Sequence, residues 1–88
     1  MQTGTLSDGD NFMADSSVAR TRALPAGTDG DRIGIKDDGG LAGTNTITIQ
    51  PNGAELIMGV NADFTITTNN GYAEFIYKAV DTDWRLVV

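Results

Sequence analysis

The chain is 88 residues long, 40% hydrophobic, and carries a formal net charge of −6. A chain of this length forms one domain, and such a domain buries only about 60% of the surface that its unfolded chain exposes. The sequence has no cysteine and no histidine, so neither disulfides nor the usual zinc ligands can add stability. We therefore expect oligomerisation to supply part of the stability.

Charge and hydropathy exclude two classes of partner. The acidic residues are scattered and the six basic residues form no stripe, whereas nucleic-acid binding depends on clustered Lys and Arg. Strongly apolar stretches run to about five residues, far short of the roughly 20 that a membrane helix needs. The first residues, 1–4, lack the basic and then apolar order of a signal peptide. We expect a protein made in the cytoplasm that binds neither nucleic acid nor membrane.

Residues 1–16 are polar and show no sustained periodicity, and apart from Met1 their large apolar residues are Leu6, Phe12 and Met13. We predict an extended N-terminal arm that uses these three side chains to bind a partner, and a β-domain over residues 17–88. The alternative is a frayed terminus, since chain ends are loose unless they are tied down.

From residue 17 onward, short alternating segments are separated by Gly, Pro and Asn-Gly turns, a pattern typical of strands. In two of these segments the alternation places Ile33 and Ile35, and then Ile47 and Ile49, on one inward face. Thr46 and Thr48 then point outward, as suits an exposed pleated surface. The predicted strands cover residues 17–24, 32–36, 46–50, 54–58, 64–68, 72–79 and 84–88.

The strongest local signal is a hairpin, in which Asn69-Asn70-Gly71 joins the strands 64–68 and 72–79. Six or seven short strands of this kind predict an all-β fold, a small antiparallel sandwich or barrel-like domain. The glycine-rich segment 37–45 is expected to be a mobile surface loop or a plain wide turn. The aromatic and apolar residues expected to fill the core or an oligomer interface are Phe64, Phe75, Tyr77, Trp84 and Leu86.

The chemistry of an enzyme is largely missing from the sequence. Without His or Cys, and with serine only at positions 7, 16 and 17, no nucleophile and base can form a triad. The acidic turn Asp29-Gly30-Asp31 begins like a calcium loop, but Ile33 and Gly40 stand where the fifth and twelfth ligands belong. We predict no catalytic activity, no metal and no cofactor.

An ordered series of motifs carries a resemblance. It comprises Leu24-Pro25-Ala26-Gly27, the strand 30–37 ending in Lys36-Asp37, the Ala42-Gly43-Thr44-Asn45 loop with its Ile-Thr-Ile strand, and Ile57-Met58-Gly59. Together with the terminal tryptophan strand, the series resembles a small β-module of tailed-bacteriophage structural proteins over residues 17–88. It departs from that module at Met58 and at the turn Asp81-Thr82-Asp83.

The resemblance implies a fibre-like or knob-like β-domain, usually homotrimeric, without enzyme activity. Such modules occur in short capsid decoration, or cement, proteins and within tail fibres or tailspikes. Because the 88-residue chain has no long shaft, we expect a decoration protein on the capsid surface whose partners are its own copies and the major capsid protein. The alternatives are a tail fibre, tailspike or adaptor component and a module that binds the host surface or a carbohydrate.

Overall fold

The fold was determined as a computed structural model, which describes residues 4–87. Within that range nine strands are joined by turns and one short 3₁₀ turn, Ala79–Asp81. The strands are β1 (Gly4–Thr5), β2 (Gly9–Phe12), β3 (Arg20–Ala23), β4 (Arg32–Lys36), β5 (Ile47–Gln50), β6 (Leu56–Ile57), β7 (Phe64–Ile66), β8 (Tyr72–Lys78) and β9 (Asp83–Leu86). No helix in this part of the chain is long and apolar enough to span a bilayer.

The strands form two sheets, and the chain alternates between them until β8. Sheet A has the order β1-β3-β5-β7, and sheet B has the order β2-β4-β8-β9-β6. Up to β8, the odd-numbered strands belong to sheet A and the even-numbered strands to sheet B, and β9 then joins sheet B. The neighbouring strands β3 and β5 of sheet A are parallel. The predicted all-β sandwich is confirmed.

The strand pairing differs from the predicted antiparallel arrangement. The pairs β1–β3, β2–β4, β3–β5 and β6–β9 are parallel, while β4–β8, β5–β7 and β8–β9 are antiparallel. The predicted hairpin is wrong, since β7 pairs with β5 in sheet A and β8 pairs with β4 and β9 in sheet B. The turn is present, with a hydrogen bond from the Gly71 amide to the Thr68 carbonyl, but it carries the chain across the core.

The N-terminal segment is part of the sandwich over residues 4–16, so the structure does not show the predicted arm there; residues 1–3 lie outside the described range. β1 pairs with β3 over two residue pairs, and β2 pairs with β4 over four. Leu6 and Met13 are buried in the core of this chain, and Phe12 is 60% exposed. Burying two apolar residues on their own domain is favourable, by about 1.5 to 3 kcal/mol each, so they are not available to a partner in this state.

The core lies between the sheets and draws on both. Sheet A contributes Ile47, Ile49 and Ile66, and sheet B contributes Ile33, Ile35, Phe75, Tyr77 and Trp84. The predicted inward faces at Ile33 and Ile35, and at Ile47 and Ile49, are confirmed by their burial. Strand alternation therefore determines which side chains of these strands face the core.

Asp37 organises the glycine-rich segment 37–45, for which the sequence predicts a mobile surface loop or a plain wide turn. Its carboxylate is fully buried and accepts hydrogen bonds from the amides of Gly40 at 3.0 Å, Ala42 at 2.9 Å and Asn70 at 3.0 Å. Burial raises the pKa of this carboxyl, but these bonds and one from the Ser16 hydroxyl together hold it below its ordinary value. Asp37 thus ties the end of β4 in sheet B to the segments that precede β5 and follow β7 in sheet A.

Candidate interaction surfaces

The structure places the predicted aromatic set inside one chain. Phe75, Tyr77 and Trp84 are buried, and Phe64 and Leu86 are partly buried against them. The Phe64 and Phe75 rings meet edge to face with centroids 5.2 Å apart, and those of Tyr77 and Trp84 lie 5.0 Å apart. Of the two roles proposed for these residues, core or subunit interface, their packing assigns them to the core.

Glu55 lies beside Tyr77 and Trp84, and its carboxylate has a structural role. Its Oε1 accepts a hydrogen bond from Trp84 Nε1 at 3.2 Å, and its Oε2 accepts one from the Gly27 amide at 3.1 Å. Burial raises the pKa of the Tyr77 hydroxyl, and the nearby Glu55 carboxylate raises it further. Glu55 therefore joins the Leu-Pro-Ala-Gly turn to the terminal tryptophan strand, and its oxygens are already engaged.

In the acidic turn Asp29-Gly30-Asp31, which begins like a calcium loop, both carboxylates accept hydrogen bonds from backbone amides. Asp29 Oδ1 accepts a hydrogen bond from the Ala79 amide at 3.0 Å, and Asp31 Oδ2 accepts one from the Thr28 amide at 2.9 Å. Within residues 4–87, no group of three or more acidic side chains is placed to hold a metal ion. Asp29 and Asp31 are turn-capping residues, a role that acidic side chains commonly take.

The outer face of sheet B carries charged side chains, some of which form ion pairs and others hydrogen bonds with neutral groups. Register aligns Asp10 with Gly34 and Glu74 in one row, and Arg32 with Ile76 and Arg85 in another. Arg32 contacts Glu74 at 3.2 Å. The Tyr72 hydroxyl donates to Asp10 Oδ1 at 2.9 Å across Gly34, where a side chain would meet both groups within 2.6 Å.

One side of this face, at the edge strand β2, borders a groove of about 500 Å³. Phe12 lies exposed on its wall, whereas Arg22 is almost fully buried and burial lowers the pKa of its guanidinium. The groove is lined by Thr5, Ser7, Asp10, Asn11, Phe12 and Arg22. Of the three side chains predicted to bind a partner, Phe12 alone faces outward.

At the opposite edge of sheet B, a tight turn exposes Met58. Ile57 and Val60 exchange two backbone hydrogen bonds, of 2.8 and 3.1 Å, and both residues between them have positive φ, 55° at Met58 and 82° at Gly59. This is the type I′ arrangement, which favours Asn-Gly and disfavours a long side chain at its first position. Met58 is nevertheless 52% exposed at this strained position.

The outer face of sheet A contrasts with that of sheet B because it carries no charged side chain in the described strands. Thr21, Thr48 and Thr65 are adjacent in register across β3, β5 and β7. In the neighbouring row, Thr5, Ala23 and Gln50 are aligned across β1, β3 and β5. We call these residues the threonine face: Thr5, Thr21, Ala23, Thr48, Gln50 and Thr65.

The chain matches no known family model, and no curated protein is similar to it. The assignment of function therefore depends on the geometry of these surfaces and on the motif series.

Proposed function

We propose that this protein is a structural component of a bacteriophage particle, a decoration protein that binds the major capsid protein as a homotrimer and stabilises the head. The observation that carries the proposal is the use of the polar side chains. Asp37 and Glu55 are engaged in holding the turns of the sandwich, while Phe12 is exposed beside an open groove. An exposed aromatic side chain beside a groove suits docking better than chemistry.

Phe12 is the proposed anchor for the capsid. It lies on an edge strand and beside an open groove whose wall includes the hydroxyls of Thr5 and Ser7. An aromatic side chain supplies a large contact area at low cost in conformational entropy, and such residues dominate binding energy at protein interfaces. Three copies of a modest anchor on one trimer add avidity that a single copy lacks.

The test uses particles that lack the protein. We expect them to assemble but to release DNA at a lower temperature, and the purified protein should restore retention. Phe12→Ser should weaken particle binding by at least about tenfold, as loss of an aromatic anchor costs more than 1.4 kcal/mol. Val80→Ser, which removes an apolar side chain that is 81% exposed, is the matched control and should bind normally.

Two results would contradict the proposal. Equal heat tolerance of particles with and without the protein would favour a tail component, whose loss should instead impair adsorption to the host. The copy number gives the second measurement, because a capsid decorator is expected in hundreds of copies per particle and a tail component in tens or fewer.

A further inference from the structure

We infer that the threonine face is the surface through which copies of this chain associate with one another. The inference rests on the self-assembly part of the proposed function and identifies the surface responsible. Its first support is exposure: the outer face of sheet A is uncovered in the single chain, where Thr21, Gln50 and Thr65 are exposed.

The second support is charge. The chain has a net charge of −6, so most surfaces of two approaching copies repel each other. The threonine face has no charged side chain on the described strands, and Thr48 lies at its centre between Thr21 and Thr65. The outer face of sheet B instead presents Asp10, Arg32, Glu74 and Arg85. Depletion of charge is the compositional signature of the core of an interface.

The size of the face limits how strongly it can bind. The four strands have two to four residues each, and at about 3.3 Å per residue and about 4.8 Å between strands they give a face of roughly 200 Å². A standard interface buries about 800 Å² on each partner, so the contact must continue beyond the strands. Val18 and Leu41 are exposed apolar residues at the end of sheet A where β3 and β5 begin, close to Ser16. They are positioned to extend the contact at that end.

The experiment measures self-association by sedimentation over a range of protein concentrations. Thr48→Lys places a charge at the centre of the face, where contact with a copy would bury it without a partner. We expect the concentration for half-association to rise at least about tenfold. Thr28→Lys makes the same change in an exposed loop and should shift it less than about twofold.

Thermal unfolding of Thr48→Lys and of Thr28→Lys shows that each variant is folded. Unchanged self-association of folded Thr48→Lys would overturn the inference.

The inference and the proposed function fail in different measurements. If the wild-type protein stays monomeric at millimolar concentration, both the inference and the proposed homotrimer are overturned. The comparison of particle binding by the wild type and by Phe12→Ser would still test the proposed capsid role. Conversely, if the protein self-associates but does not bind particles, the inference about the threonine face stands and the proposal of capsid decoration is contradicted.

Discussion

The two sheets share one core but present opposite outer faces. Sheet B carries alternating acids and bases, including the Arg32–Glu74 pair, and sheet A carries threonines in register across three strands. Both faces are polar, so hydropathy alone does not distinguish them. Their difference lies in how each meets another acidic copy, since a charged face is kept apart by repulsion and by the cost of desolvation, and an uncharged face is not.

The largest expected effect comes from the core that both faces share. Trp84→Ala removes a fully buried side chain that contacts Tyr77 and donates to Glu55. We expect a loss of about 3 to 5 kcal/mol in the free energy of unfolding, as for other buried aromatic residues. Chemical denaturation, monitored with one probe in each sheet, measures this loss. Separate transitions would show that the sheets are not one cooperative unit.

The second effect concerns the carboxylate that connects the sheets. Asp37→Ala leaves three amides at Gly40, Ala42 and Asn70 without their acceptor, and we expect a loss of about 2 to 4 kcal/mol. Denaturation at pH 7 measures it. Asp38→Ala, at the exposed neighbouring acid, is the matched control and should cost less than about 0.5 kcal/mol.

The same residue predicts a pH dependence. The pKa of Asp37 is lower in the folded chain than its ordinary value of 3.8. The contribution of Asp37 to the free energy of unfolding is therefore complete above its pKa in the unfolded chain and is lost as the pH falls through its pKa in the folded chain. We expect the wild type to lose stability below about pH 4 more steeply than Asp37→Ala does. Parallel acid titrations monitored by circular dichroism would contradict this prediction.

The sequence predicts the strands better than it predicts their neighbours. Alternation at Ile33, Ile35, Ile47 and Ile49 correctly identified inward faces, because burial acts on each strand separately. The turn at Asn69-Asn70-Gly71 was located, but its flanking strands belong to different sheets. Local turn chemistry fixes a chain reversal, whereas the choice of partner strand depends on contacts distant in sequence.

The surfaces were predictable only in part. Leu6 and Met13 were expected to bind a partner because their segment has no periodicity, yet β1 and β2 pair with distant strands and bury both residues. Asp37 resembled any loop acid, although an acid directly after a strand and before a glycine-rich turn faces several free amides. The threonine face combines strands far apart in the sequence, so its lack of charge becomes visible only with the register.

A smaller effect is expected at the edge of sheet B. Met58→Asn places the preferred residue at the first position of the type I′ turn, and we expect a gain of about 0.5 to 1 kcal/mol. Thermal unfolding measures it, with Val60→Asn, just outside the two positive-φ positions, as the control. A loss of stability in Met58→Asn would show that packing of the methionine outweighs backbone strain. Weaker particle binding by this more stable variant would indicate that Met58 also contacts the capsid.

The smallest effect returns to the two outer faces. Arg32→Ala removes an exposed ion pair with Glu74 in sheet B, and we expect a cost of at most about 1 kcal/mol that declines as salt is raised. Thr65→Ala on the threonine face removes no charge, so its cost, also below about 1 kcal/mol, should not change with salt. Denaturation of both variants at low and high ionic strength measures the difference.

Because self-association through an uncharged face is opposed only by the net charge of the copies, the wild type should associate more strongly in high salt. Association that weakens as salt is raised would place the contact on the charged face of sheet B.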